Sequence, residues 1–525
     1  MISVADFDRP ITDADLERIG QDWRATDPLP RFQSYREMPM AIIEENEMPQ
    51  WKDPEQLWNA AQAMGTDFVR YPAIGWAAHF YGQSDFLPKY PGMLPEEDFF
   101  GAVCEYFHAR GGKVCAYNHF GGVMYGTTIQ THPQWLARDT EGNPILWNDM
   151  HYLGCLSGED FLNAMVNAID EYCTRYGNDA VYLDAPSWYH GRCHCDNCQA
   201  LWRTYYGEEK PTDFPEGSPQ MEKLRQLHQR RIFALLHAVH AVTQKHGIPL
   251  IINCRGHNNP VLGHGLKELN MSFVDGTNAG EGYRPHASYW SMATLWRLGE
   301  SFKRLAYAYC PTGPYDNFRS YGTDEALAVG MGQVMFGMTP FLESATSYLF
   351  DTTGGEKLRQ VVENIRNHAP MYYRTAPVRD LGLVNDEYMV VRDPRRNQLE
   401  QEFQGCVEAL SHAGRHFDCL YERHLSAARL AGYRCIYLPN TGYVTPQLEK
   451  ALRQYAENGG TVICGPDFSR FDEWLQPLDN YTMADFLGDA RHTVRQFFER
   501  FSAGRCRKRR QDTRKRDRPS CFSPF

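Results

Sequence analysis

Two groups of residues carry most of the chemistry legible in this chain. The first centres on Asp184, which closes the apolar run AVYLD (180–184) and is followed at once by APSWY. A carboxylate at the end of an apolar β-like run suits a nucleophile held at the rim of a sheet. Trp188 and Tyr189, just behind it, are surfaces on which a sugar ring can stack. The same aspartate could equally cap a helix or a turn. Glycoside hydrolysis needs a second carboxyl group, about 5–5.5 Å away for retention or about 6.5–9.5 Å away for inversion. Glu281, in the glycine-flanked loop GTNAGEGYR (276–284), is the preferred acid/base, with Asp275 and Glu343 as competitors.

The second group is Cys193, Cys195 and Cys198 in HGRCHCDNC (190–198). Cysteines at C-x-C-x-x-C spacing can converge on one tetrahedral zinc ion, with His190, His194 or Cys254 as the fourth ligand. Three thiolates donate much charge to a metal, and no H-E-x-x-H pattern is present, so the expectation is a structural zinc clamping a loop. No glycine-rich phosphate loop follows an early strand, and no organic cofactor is expected.

These residues must be positioned by an α/β scaffold. Short apolar β-like runs at 40–45, 66–72, 113–120, 180–186, 249–256, 271–276, 304–310 and 338–344 alternate with helical patterns such as 53–65, 95–112, 158–177 and 219–246. In 158–177, Phe161, Met165, Ile169 and Tyr172 keep the spacing of one apolar helix face. Eight such runs with intervening helices predict a (β/α)8 barrel, whose site lies at the C-terminal ends of its strands. Those ends carry Arg70, Asn118, His119, Asp184, Asn253, Tyr309 and Glu343, with Trp76 and His79 close behind the second. A ring of carboxylates, amides and aromatics fits a neutral polyhydroxy ligand. Arg70, Asn118, His119, Trp188, Asn253, Tyr309 and Glu343 are therefore expected to bind it.

The expected organisation is an N-terminal extension (1–30), the barrel (31–372), a second and smaller flavodoxin-like α/β unit (380–475) and a C-terminal segment (476–525). Residues 503–525 hold nine Lys/Arg against two Asp, the composition of a disordered tail or an incomplete chain end. The whole chain has a net charge of −11, so the remainder carries −18, which argues against nucleic acid as a partner. At 525 residues, with 42% hydrophobic and 23% charged, the chain is globular and multidomain rather than disordered. Aromatics reach 13%, which suits a sugar cleft and a large core alike. The start shows no signal-peptide pattern, and no run approaches the roughly 18 apolar residues of a membrane span. The 15 scattered cysteines point to reduced thiols and a cytoplasmic location.

The path from KVCAYNHFGG (113–122) through HPQWLARDTEGNPI (132–145) and CLSGEDFLNAMVNAIDEY (155–172) to DAVYLDAPS (179–187) and CHCDNC (193–198) resembles the "hypothetical glycosyl hydrolase six" group. Those barrels are in turn similar to α-L-fucosidase catalytic domains. The resemblance covers about 38–350 and implies that Asp184 is the nucleophile; it does not fix the acid/base, for which Glu281, Asp275 and Glu343 stay open. Residues 380–475, above all YLPNTGYVTPQLEKALRQYAENGGTVICG (437–465), resemble the trimerisation domain of family 42 β-galactosidases. That implies an amidotransferase-like fold without its chemistry, and a homotrimer. A nucleophile elbow G-x-C-x-G around Cys464 is absent, since Val462 and Pro466 replace the glycines, so Cys464 reads as a core thiol. Family 42 enzymes carry a cysteine-bound zinc near the barrel mouth, which implies a metal at Cys193, Cys195 and Cys198. The Asn-Glu pair that those enzymes hold at the end of strand 4 is missing, so β-galactosidase activity does not transfer with the second domain. The expected function is a retaining, exo-acting glycosidase on an α-L-fucoside or β-galactoside of a short oligosaccharide. The alternative is a trimeric barrel that binds carbohydrate without cleaving it.

Overall fold

The computed structural model describes residues 1–10, 52–63, 66–120, 126–148, 151–184, 193–253 and 380–487 apart from a few positions, with residues 360, 363, 367 and 378 and the strand segments 42–43, 123–124, 276–278, 305–311 and 339–343. Among the described residues the main sheet has nine strands, a short antiparallel one (Ala78–His79) at the end of the second and eight parallel ones. They are β1 (Ile42–Ile43), β2 (Phe68–Gly75), β3 (Lys113–His119), β4 (Ala180–Asp184), β5 (Leu250–Asn253), β6 (Gly276–Asn278), β7 (Leu305–Pro311) and β8 (Thr339–Glu343). Each pairs with its neighbours in chain order, and β1 pairs with both β2 and β8: Ile43 stands opposite Arg70 on one side and Glu343 on the other. The ring therefore closes on itself, as the eight-run pattern predicts. Both faces of such strands are covered, which is why β2 and β4 read as nearly continuous apolar runs and are buried along their whole length.

Helices form where the sequence places caps. Asp53 accepts from the Glu55 N–H at the start of α1 (Pro54–Ala63), and Asp98 accepts from the Gly101 N–H at the start of α2 (Phe99–His108). Helix α3 (Glu159–Tyr176) buries Phe161, Met165, Ile169 and Tyr172 and ends at Gly177, whose φ of 62° suits glycine. α4 (Asp196–Tyr206) follows the cysteine motif. α5 (Pro219–His246) is capped by Ser218 and packs on α3. Between β3 and α3 the chain builds a three-stranded antiparallel sheet from Val123–Met124, Leu146–Asn148 and His151–Leu153.

Residues 1–10 pack on the barrel. The Ile2 and Val4 N–H groups donate to Asn167 and Asn163 of α3, at 2.9 and 2.8 Å. Asp8 binds Arg231 at 3.0 Å, Arg230 at 2.5 Å and the Tyr205 hydroxyl.

The second unit holds β9 (Leu381–Asn385), β10 (Phe417–Tyr421), β11 (Cys435–Leu438) and β12 (Thr461–Cys464), all parallel, in the order β10-β9-β11-β12. That order starts as a flavodoxin-like sheet does. α6 (Arg396–His412) and α7 (Pro446–Glu457) are its longest described helices. The Cys464 thiol, half-buried, packs against the core of this unit, and burial pushes it up to about 12. Among the described residues, no helix is long and apolar enough to cross a membrane.

Candidate active site and cysteine centre

The end of β4 meets the end of β3 at the mouth of the barrel: Asp184 is in register with His119, Leu183 with Asn118 and Tyr182 with Tyr117. Strand side chains alternate between the two faces. Tyr117, His119, Tyr182 and Asp184 fall on one face, and Asn118 on the other. Tyr117 donates its hydroxyl to Asp184 Oδ2 at 2.7 Å. The Asp184 carbonyl accepts from the Phe120 N–H at 2.9 Å, so both strand end and side chain are fixed. Asp184 is 3% exposed and His119 7%. Beneath them the Tyr117 and Tyr182 rings stack 6.0 Å apart, and the Arg70 guanidinium lies 5.2 Å from the first ring and 4.1 Å from the second.

Two expectations change here. Asn118 faces the helix layer: its amide donates to the Tyr172 hydroxyl on α3 at 2.9 Å and to the Ala116 and Tyr182 carbonyls, so it ties strand to helix. Arg70 is fully buried against the two tyrosine rings, a support for the site rather than a rim contact. Conversely, sequence reading passed over Tyr117. The signal was there, because a residue two before His119 shares its face.

Asn253 ends β5 and Glu343 ends β8, as the strand-end reading requires, while Tyr309 lies within β7 opposite Phe341. Glu281, Asp275 and Trp188 lie outside the described residues.

The cysteine motif meets a fourth thiol. The sulfurs of Cys155, Cys193, Cys195 and Cys198 all lie within 4.8 Å of one another, with Cys155 Sγ 3.5 Å from Cys198 Sγ and 3.3 Å from Cys195 Sγ. A tetrahedral zinc with bonds of about 2.3 Å spaces its sulfurs about 3.8 Å apart, so these four residues can hold a metal ion. Cys155 takes the place expected of His190, His194 or Cys254. His194 stands outside the group, its backbone N–H donating to the Arg138 carbonyl at 2.6 Å, and the other two lie outside the described residues. Cys155 precedes Cys195 by 40 positions and belongs to the insertion after β3, too distant for spacing to reveal.

The surroundings suit concentrated thiolate charge. The Arg138 N–H donates to Cys193 Sγ at 3.4 Å, and Cys198 Sγ lies 3.2 Å from the Ser157 hydroxyl. Bonding to Cys193 pushes the Cys155 thiol well up, whereas bonding to Cys155 draws Cys195 far below the ordinary thiol range. Burial lowers the nearby Lys210 ammonium, and the attraction of Cys198 and the other sulfurs opposes that shift. The centre joins the insertion after β3 to the start of α4.

No protein-family model matches the chain, and no curated protein matches it in sequence. Solved structures do match it in fold. α-L-Fucosidase isoenzyme 2 from Paenibacillus thiaminolyticus aligns with TM-score 0.60 and 16% identity, over 84% of this chain and 66% of its own. Gan42B, a GH42 β-galactosidase from G. stearothermophilus, gives 0.67 and 13%, over 88% and 76%. The β-galactosidase of the psychrophilic Marinomonas ef1 gives 0.63 and 13%, over 86% and 79%. The chain thus spans just under two thirds of the length of the fucosidase, and what it shares with all three is the glycosidase (β/α)8 fold.

Proposed function

We propose that the protein is a retaining, exo-acting glycoside hydrolase in which Asp184 is the nucleophile. The observation that carries this reading is the buried hydrogen bond from Tyr117 to Asp184 Oδ2 at the end of β4, inside a barrel of the glycosidase fold. Tyr117 fixes the carboxylate rotamer and leaves attack on the anomeric carbon to Oδ1. The glycosyl ester forms as the bond to the leaving oxygen breaks, and Glu281 supplies the proton to that oxygen. Water, deprotonated by Glu281, then cleaves the ester and restores both carboxyl groups. His119, beside Asp184 on the same face, would bind a sugar hydroxyl, with Trp188 from the segment after β4, Asn253 and Glu343 from other strand ends and Tyr309 from within β7. An α-L-fucoside or a β-galactoside is the proposed substrate. Both are sugars named by the structural neighbours.

Zinc at Cys155, Cys193, Cys195 and Cys198 would be structural: four thiolates fill a tetrahedral shell and keep no position open for substrate. The flavodoxin-like domain would assemble three copies. Labelling with a 2-fluoro glycoside, read by peptide mass spectrometry, tests the nucleophile. An adduct on Asp184 is expected, and an adduct on any other carboxylate overturns the assignment.

A further inference from the structure

The second unit holds a cavity of about 760 Å³ that the proposed hydrolysis does not use, lined by residues of that unit alone. Its place follows from the sheet. β9 and β11 are neighbours, but the chain leaves them in opposite directions: α6 leads back to β10 on one side, and α7 leads on to β12 on the other. Open α/β sheets bind ligands at such a divergence, outside the carboxyl ends of the strands. Here Arg395 follows β9, Asn440 follows β11 and Asp467 follows β12, and all three line the cavity. One face of α6 forms its long wall, from Leu399 to Leu410. The volume suits one small organic molecule. In the middle of that wall stands Gly405. A glycine inside a helix weakens it, because glycine has the most backbone freedom to lose on folding. Other glycines answer a geometric need: Gly177 has a positive φ, and a Cβ on Gly382 would lie 2.8 Å from Ile436 and Leu420. Gly405 meets neither need. It is exposed and helical, and a Cβ there would find nothing within 4 Å. The missing side chain keeps the cavity open.

The lining selects the ligand. Its charged groups are already engaged: Arg395 is held by Asp393 at 2.8 Å and Asp467 at 3.1 Å, Gln398 donates to Glu402 at 2.8 Å, and Arg415 has its own interactions. On the inner wall, burial pushes both the Cys406 thiol and the Tyr437 hydroxyl up, and the two are hydrogen-bonded to each other, so both are uncharged at neutral pH. Met389, Leu399, Leu410 and Pro439 supply apolar surface around them. Such a wall cannot offset the desolvation of a charged ligand. The Tyr437 hydroxyl, engaged with the sulfur, retains an acceptor position for one ligand hydroxyl.

We propose that this cavity is a binding site for an uncharged, mainly apolar ring compound bearing a hydroxyl group. The site stands whether or not Asp184 is the nucleophile. The test is titration of the full chain with 2-naphthol, read by its fluorescence, with naphthalene-2-sulfonate and lactose as the charged and the polar comparison. 2-Naphthol should bind at one per chain, and each comparison at least about tenfold more weakly. Gly405→Ala adds only a Cβ, so it should melt no lower than the wild type and keep its Kd. Gly405→Phe places a ring in the cavity at a position where phenylalanine favours the helix more than glycine does, and it should raise the Kd for 2-naphthol at least about tenfold without lowering the melt. Ala409→Phe, one turn on along the same wall, repeats that test. An unchanged Kd in the folded phenylalanine variants overturns the proposal, as does tighter binding of the sulfonate or of lactose, or the lack of saturable 2-naphthol binding. A smaller assembly of Gly405→Phe in light scattering would also overturn it, because a second copy of the chain would then be the occupant.

Discussion

Replacing Cys155 by serine should cost the protein its metal and a definable share of its stability. With zinc bound, the four-sulfur centre would act as a clip across the 43 positions between Cys155 and Cys198. A cross-link closing a loop of that length removes enough chain entropy from the unfolded state to be worth about 4 kcal/mol at 25 °C. For a chain of this size each kcal/mol corresponds to roughly 1 °C, so the unfolding transition should fall by about 4 °C. Elemental analysis should find about one zinc per chain in the wild type and a small fraction of that in Cys155→Ser. Thermal melts with and without a chelator complete the assay: chelation should bring the wild type down to the variant's Tm and leave the variant unmoved. A Cys155→Ser protein that keeps a full complement of zinc and still responds to chelator would refute the ligand assignment. The fourth ligand would then have to be sought at His190 or Cys254.

Two further outcomes follow from the same geometry. Tyr117→Phe removes one hydrogen bond to a charged carboxylate, worth roughly 1.5–3 kcal/mol, so kcat/KM on an activated glycoside should fall roughly 10- to 100-fold; an unchanged rate would separate Tyr117 from the reaction. Asp8→Ala strands Arg231, 1% exposed, without its carboxylate, and should cost about 3 kcal/mol by urea titration. Burial alone would raise the Asp8 carboxyl, but hydrogen bonds from Tyr205 and Arg230 hold it below its ordinary 3.8. Its stabilisation is therefore complete above about pH 3.8 and is lost as the pH falls through the lower folded value. The variant should lack that part of the acid slope, and identical acid profiles would contradict the pairing.

Much of the scaffold was legible because its signals are local. The helix α3 shows its buried face in four residues at helical spacing, and apolar runs mark the barrel strands. The position of Asp184 followed from one such run ending on a carboxylate. What spacing could not show was convergence from afar. Cys155 reaches the motif only because the insertion after β3 folds back, and its strands of two or three residues are too short to carry a period. The contacts of Asn118 were hidden for a different reason. Being at a strand end does not settle which face a residue takes, and the pleat turns it toward Tyr172 while giving the inner face to Tyr117 and His119. Arg70 likewise reads as a rim cation in sequence, yet the rings of Tyr117 and Tyr182 enclose it.

The most direct test of the central claim is turnover of aryl α-L-fucoside and aryl β-galactoside by the wild type and by Asp184→Asn. The expected result is cleavage of one of the two by the wild type and a loss of at least roughly a thousandfold in the variant, with its melting transition retained. Equal turnover by the two proteins would contradict the assignment of Asp184, whatever the sugar.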